Sequence, residues 1–203
     1  ITLEGFKDIF WLEYVHRLLG RLIGLVFLLP FLYFLFKRKI QGTLVWQLAG
    51  VFLLGAMQGA LGWYMVQSGL VSEPRVSHFR LTAHFGLALL IFSAELWIAM
   101  GLLKERSGKP KRFPLVVLSL VFLMALSGAM VAGLRAGHAY NTFPLMNGHL
   151  IPPETFMLEP WWQNFFYNVA TVQLVHRTLF WTLLIMIPML WWRTRNIAAH
   201  HLL

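Results

Sequence analysis

The chain has no cysteine in 203 residues. That absence excludes thiolate-held iron–sulfur clusters, cysteine-based zinc sites, covalently attached c-type haem and any disulfide within these residues. Redox chemistry, if the chain performs any, uses another cofactor. Charge is scarce as well: Asp, Glu, Lys and Arg make up 12% of the sequence, about half the ~25% usual in a soluble domain. Only eight of the charged residues are acidic, while 58% of the chain is hydrophobic. This composition excludes a soluble globular domain. A membrane-crossing helix takes about 20 mostly apolar residues, so the apolar content supplies five spans with little left for a water-facing domain.

What is present falls into order along the chain. Five apolar stretches, 14–36, 43–66, 81–103, 113–134 and about 171–192, are each long enough to span. Lys37, Arg38 and Lys39 follow the first; Lys104, Arg106, Lys109, Lys111 and Arg112 separate the third and fourth; Arg193 and Arg195 follow the fifth. These ten lie on one side, against Lys7, Arg75, Arg80 and Arg135 on the other. By the positive-inside rule the two short loops and the C-terminus face the cytoplasm or matrix. Six of the eight acidic residues (Glu4, Asp8, Glu13, Glu73, Glu154 and Glu159) fall outside. The formal charge of +9 is therefore mainly an orientation signal, and nucleic acid drops out as a partner. An outward start with Ile at position 1 leads us to expect a fragment lacking at least one earlier helix. The largest non-spanning stretch, 135–168, carries four prolines and the cluster Trp161, Trp162, Phe165, Phe166 and Tyr167. It suits an interfacial anchor in the headgroup layer, or a lid over an outward-facing site.

An internal repeat is visible. FKDIFWLEYVHR (6–17) and FYNVATVQLVHR (166–177) align at an offset of 160, matching Phe6 to Phe166, Val15 to Val175, His16 to His176 and Arg17 to Arg177. Four helices separate equivalent points, which suggests a four-helix unit duplicated in parallel. Glu13 meets Gln173 in this alignment, and a carboxylate opposite its neutral isostere suggests halves with different tasks.

Ionisable groups inside a membrane are costly and are functional candidates by default. Here they are Glu13, His16, Arg17, Arg21, Arg80, His84, Glu95, His176 and Arg177. Glu13 and His16 share a helix face that continues through Gly20 and Gly24. These glycines leave room either for a flat macrocycle or for close packing of another helix. Arg80, His84, Ala88 and Glu95 line one face of the third span. His16 and His84, on two inward-running helices at similar depth, form a pair that can hold an iron porphyrin through imidazole nitrogens. A single intramembrane histidine is as readily a hydrogen-bonded core residue or part of a proton path. Arg17, Arg80 and Arg135 can pair with propionates, although Arg17 and Arg21 can equally snorkel. His78 and His149 fall in outer loops and read as solvated, and His200 and His201 lie at the inner end without an expected role. His138, Tyr140 and Asn141 fall just outside the bilayer, within reach of a headgroup, a propionate or water. Small residues at four-residue steps (Gly55 and Gly59; Ala125, Ala129, Gly133 and Gly137) read as close helix contacts, and for Glu95 the default is a hydrogen bond to a neighbouring helix.

The motifs EYVHRLLGRLIGLVF (13–27), QGALGWYMVQSGL (58–70), PRVSHFRLTAHFGLAL (74–89), LSGAMVAGLRAGHAYNTFPLM (126–146) and VQLVHR (172–177) together resemble the haem A synthase family. The likeness is nearest to its mitochondrial and proteobacterial branch, without the outer cysteine pair of some bacterial members. The resemblance implies an all-α polytopic bundle of eight helices in two pseudo-symmetric four-helix halves, of which this chain holds five. Residues 1–135 would be most of the N-terminal, substrate-haem half, 136–168 an outer linker, and 169–203 the first helix of the half that binds cofactor haem b. It implies Glu13, His16 and His84 at the substrate site, and His176 as a haem b ligand whose partner falls beyond residue 203. Arg17, Arg80 and Arg135 are the expected propionate partners. The implied reaction is oxidation of the C8 methyl of haem O to a formyl group with water as oxygen source, for terminal oxidase assembly. Glu13 would handle protons or a developing positive charge, and the chain alone would be inactive. The implied partners are haem O, membrane lipid, haem O synthase and oxidase assembly factors, with a homo-oligomer left open. A bacterial plasma membrane is favoured over the mitochondrial inner membrane, with the active site near the outer face. Two alternatives are an electron-transfer cytochrome b, disfavoured by the Glu13/Gln173 asymmetry, and a proton-coupled transporter, whose site would sit nearer the midplane.

Overall fold

The computed structural model describes the backbone of residues 3–67, 76–103 and 112–199. Arg75, Glu73, Lys104, Arg106, Lys109, Lys111, His200 and His201, which entered the charge and histidine readings, lie outside these residues, as do the side chains of Glu4 and Asp8. The chain is all-α among the described residues. Long helices α1 (Leu3–Phe36), α2 (Thr43–Gln67), α3 (His78–Leu103) and α4 (Arg112–Gly133) precede the short α5 (Ala136–Ala139). A 3₁₀ turn (Trp161–Gln163), the short α6 (Asn164–Tyr167) and the long α7 (Val169–Ala199) complete the order. Five of them are long and apolar enough to cross a membrane: Phe10–Phe36, Thr43–Gln67, His78–Leu103, Arg112–Gly133 and Val169–Arg195. In hydrocarbon a backbone that satisfies its own N–H and C=O groups is required, and the helix does so within one segment. The same setting tolerates Pro30 inside α1 and Pro188 inside α7. Residues such as Ile23 and Val26, 68% and 71% exposed, suit helix faces solvated by lipid.

The chain forms two compact units. One comprises Ile1–Trp63 and Leu90–Lys104, the other Tyr64–Leu89 and Glu105–Leu203. In the first, Phe27 of α1 stacks on Phe52 of α2 at 6.2 Å. Glu95 lines a recess of about 230 Å³ with Phe27, Leu48, Val51, Ile98, Ala99 and Leu102. The hydrogen bond expected for Glu95 is not formed among the described residues. Among the described residues, ideal Cβ atoms at Gly20, Gly24, Gly55 and Gly59 meet no atom within 4 Å, and no close helix contact is formed there.

In the second unit α4 packs along α7, and Arg193, toward the C-terminal end of α7, caps that contact with its guanidinium 4.5 Å from the Phe113 ring centroid. The N-terminal half of α3 crosses α4 at Gly133, where a Cβ would lie 2.6 Å from the His78 Cβ and 2.7 Å from its Cα. His78 is therefore not a solvated loop residue. It opens α3 half-buried, with Tyr167 edge-on at 5.4 Å.

The segment 135–168 is ordered by polar side chains rather than by regular structure. Asn147 and Gly148, at φ 51° and 88°, turn a two-residue hairpin closed by Met146 N–H to His149 O at 2.8 Å and the reciprocal bond at 3.1 Å. An Asn-Gly pair suits this turn because both central residues need positive φ. Buried Asn164 accepts from Leu158 N–H and donates to the carbonyls of Leu158 and Trp161. Asn168 donates to Asn164 Oδ1 and Glu154 O and accepts from Thr171 N–H, which makes it the N-cap of α7. Met146, 1% exposed, is the apolar anchor. The aromatic cluster occupies two short turns, with Trp161 65% exposed.

Candidate functional site

His176 lies on α7 two turns after the Asn168 cap, and its ring packs against α4. There Ser127 Oγ is 2.8 Å from His176 Nδ1, while the same hydroxyl bonds Met124 O at 2.8 Å. The next residue, Gly128, leaves the ring its space, since a Cβ there would come within 3.2 Å of Cε1. Nε2 meets no hydrogen-bond partner among the described residues. One turn before His176, Gln173 is 7% exposed, with Nε2 3.4 Å from Tyr140 O and Oε1 buried without a partner among the described residues. A buried acceptor left unpaired costs about 1–3 kcal/mol.

Arg177 ties this part of α7 to the segment 135–168. Its Nη1 donates to Pro144 O and Leu145 O, at 3.2 and 3.1 Å, and its Nη2 to Tyr140 O and Thr142 O, at 2.9 and 2.8 Å. Phe143, from the same stretch, stacks on Trp181 at 5.4 Å. The Tyr140 hydroxyl donates to Glu154 at 3.0 Å. Burial first, then that bond and the Glu154 charge, push the phenol above its ordinary value. His138, Asn141 and His149 are exposed.

The other expected site residues are distributed between the units. Glu13, His16 and Arg17 belong to the first, on an exposed part of the N-terminal half of α1. Arg17 donates to Glu13 one helical turn away, an ion pair that offsets the cost of carrying either charge on an apolar helix. Arg80, His84, Arg135 and His176 belong to the second. Arg80 donates to Tyr64 O at 2.7 Å and lies 3.6 Å above the Tyr64 ring. His84 is half-buried one turn further along α3. Arg135 follows α4 at φ 54°, exposed, its guanidinium unbonded among the described residues.

Sequence reasoning reached His176 but not Ser127, Gly128 or the carbonyls held by Arg177. A hydroxyl beside a glycine in an otherwise apolar span was the available signal, because a polar side chain in hydrocarbon seeks a partner on a neighbouring helix.

These features define a class first: an all-α chain of membrane-spanning helices that presents a structurally fixed imidazole near the N-terminal end of α7. The family profile described as cytochrome oxidase assembly protein matches residues 1–203, and the chain belongs to that family. It is 55% identical to a protein of Nitrosospira multiformis named heme A synthase, over 97% of this chain and 58% of the relative. The heme A synthase of Nitrosomonas eutropha is 50% identical over 99% of this chain and 59% of its own length. A plant relative, heme A synthase COX15 of Arabidopsis thaliana, is 45% identical over 98% of the chain and 48% of the relative. The chain thus spans under three-fifths of the length of these curated relatives. No solved structure matches it.

Proposed function

We propose that the protein carrying this chain is a haem A synthase, an oxidoreductase that converts the C8 methyl of haem O to a formyl group for terminal oxidase assembly. The observation that carries this reading is the 50–55% identity to heme A synthases across nearly every residue of the chain. In the overall balance the methyl carbon takes oxygen from one water and gives up four electrons, while two protons leave the methyl group and two leave the water. The electrons leave to an acceptor outside this chain.

Glu13, His16 and His84 are assigned to the haem O substrate. Glu13 offers a carboxylate to take protons from the reacting carbon or to stabilise positive charge there, and Arg17 fixes its position through their ion pair. The residues around His176 fit a haem b cofactor: Ser127 bonds Nδ1, which leaves Nε2 for a metal, and Gly128 provides space that a Cβ would fill. A porphyrin supplies four ligands itself, so one imidazole from this chain and one from elsewhere suffice. When bound, haem b would supply one-electron acceptance. Of the three arginines assigned to propionates, Arg17 and Arg80 are already engaged by Glu13 and Tyr64, and Arg135 has its whole guanidinium to offer. By the internal repeat, residues 1–135 form most of the substrate half, 136–168 the linker and 169–203 the start of the cofactor half. The membrane is assigned as the bacterial plasma membrane, with the site toward its outer face.

Extraction and chromatography of the porphyrins that copurify with the full-length protein test the reading. Haem O or haem A together with haem b is the expected result, and Glu13→Ala should abolish haem A while haem b stays. Haem b alone in the unaltered protein identifies a plain cytochrome instead.

A further inference from the structure

We propose that Ser127 is a positioning residue that holds His176 in its Nδ1–H tautomer and thereby makes Nε2 the ligating nitrogen. This rests on the assignment of His176 to the cofactor haem and deepens it.

The case is one of counting hydrogens. Ser127 Oγ makes two contacts of 2.8 Å, one to Met124 O and one to His176 Nδ1, and a hydroxyl carries one proton. A carbonyl oxygen only accepts, so the Met124 contact is a hydrogen bond only if the hydroxyl proton points there. The Nδ1 contact is then a bond only if the ring nitrogen brings its own proton to the serine lone pair. In the opposite tautomer the hydroxyl turns to Nδ1, and two oxygens face each other at 2.8 Å with no proton between them. Only the Nδ1–H form satisfies both contacts. Serine back-bonding to a carbonyl of the preceding turn is a common helix arrangement, so α4 itself supplies the orientation. Gly128 completes the device. Its missing Cβ, which would stand 3.2 Å from Cε1 and 3.9 Å from Nδ1, lets the ring lie against the α4 backbone at the level of the serine.

A consequence for the metal follows. An acceptor on the distal N–H of a ligating histidine fixes ring orientation and raises ligand basicity, which favours the ferric state and lowers the reduction potential. Ser127→Ala removes the acceptor while leaving the ligand, and Ser127→Thr restores a hydroxyl with the same back-bonding habit.

Two readouts on the full-length protein test this. In haem-free protein with ¹⁵N-labelled histidine, the His176 resonances, identified by their loss in His176→Gln, should show protonated Nδ1 and unprotonated Nε2. Ser127→Ala should shift them toward the Nε2–H form. In haem-loaded protein, Ser127→Ala should raise the midpoint potential of the b-type signal at unchanged haem content, and Ser127→Thr should return it toward the unaltered value. An Nε2–H ring in the unaltered protein overturns the proposal even if Ser127→Ala fails to fold. So does an unchanged potential in Ser127→Ala when His176→Ala abolishes the signal, and in that case the haem assignment stands. A b-type signal that persists in His176→Ala overturns the haem assignment and the ligating role with it, while the ring measurement still reports the tautomer.

Discussion

A guanidinium carries five N–H donors and no acceptor, and Arg177 places its two terminal nitrogens on four carbonyls of residues 140–145. Lysine at this position would bring one flexible nitrogen and could not serve the same set. Hydrogen bonds to charged donors contribute about 1.5–3 kcal/mol each, but bonds that share one group do not add. Arg177→Ala should therefore destabilise the outer segment by about 2–4 kcal/mol, read as protease nicking within residues 140–168 under conditions where the unaltered protein resists. Equal resistance would mean that Met146 and the Asn164 network hold the segment unaided. His176 and Arg177 were both legible in the sequence as intramembrane ionisable groups, and the repeat singled them out. Their partners were not, because Ser127 stands 49 residues from His176 and the Arg177 acceptors are backbone atoms, to which residue type gives no clue. His78 was misread for a related reason: its packing depends on the absence of a side chain at Gly133.

The five long helices were legible from hydropathy, and most of their ends fall within three residues of expectation. The exceptions are the start of α1, at Leu3 rather than near 14, and the end of α7, at Ala199 rather than near 192, because a helix continues past the apolar limit wherever water or headgroups can solvate its polar side chains. Small residues at helical spacing were a weaker guide, since spacing says where a close approach is permitted and not where one occurs. Gly133 hosts such an approach and Gly137, four residues on, does not. Gly133→Ala would force the α3–α4 crossing apart, because the Cβ meets backbone at 2.7 Å and no rotamer relieves it. Overpacking of this kind costs about 1–3 kcal/mol. A lowered midpoint of thermal unfolding in detergent is expected for Gly133→Ala and little change for Gly137→Ala. Equal effects would show that the crossing does not limit stability.

At the scale of the whole molecule, the asymmetry of Lys and Arg assigns the 37–39 loop to one side of the membrane and residues 135–168 to the other. Because these 203 residues lack cysteine, the assignment can be checked by single introduced thiols, with any cysteine elsewhere in the protein replaced. An impermeant maleimide added to intact cells should label His149→Cys and leave Lys39→Cys unlabelled until the membrane is permeabilised. The reverse pattern would invert the topology. The Arg177 clamp also bears on biogenesis. Its guanidinium follows the carbonyls it binds by 32 to 37 residues. As the nascent chain emerges, the linker is made before the residue that shapes it. The segment can take its final form only once α7 has entered the bilayer, so its folding reports the arrival of the next helix.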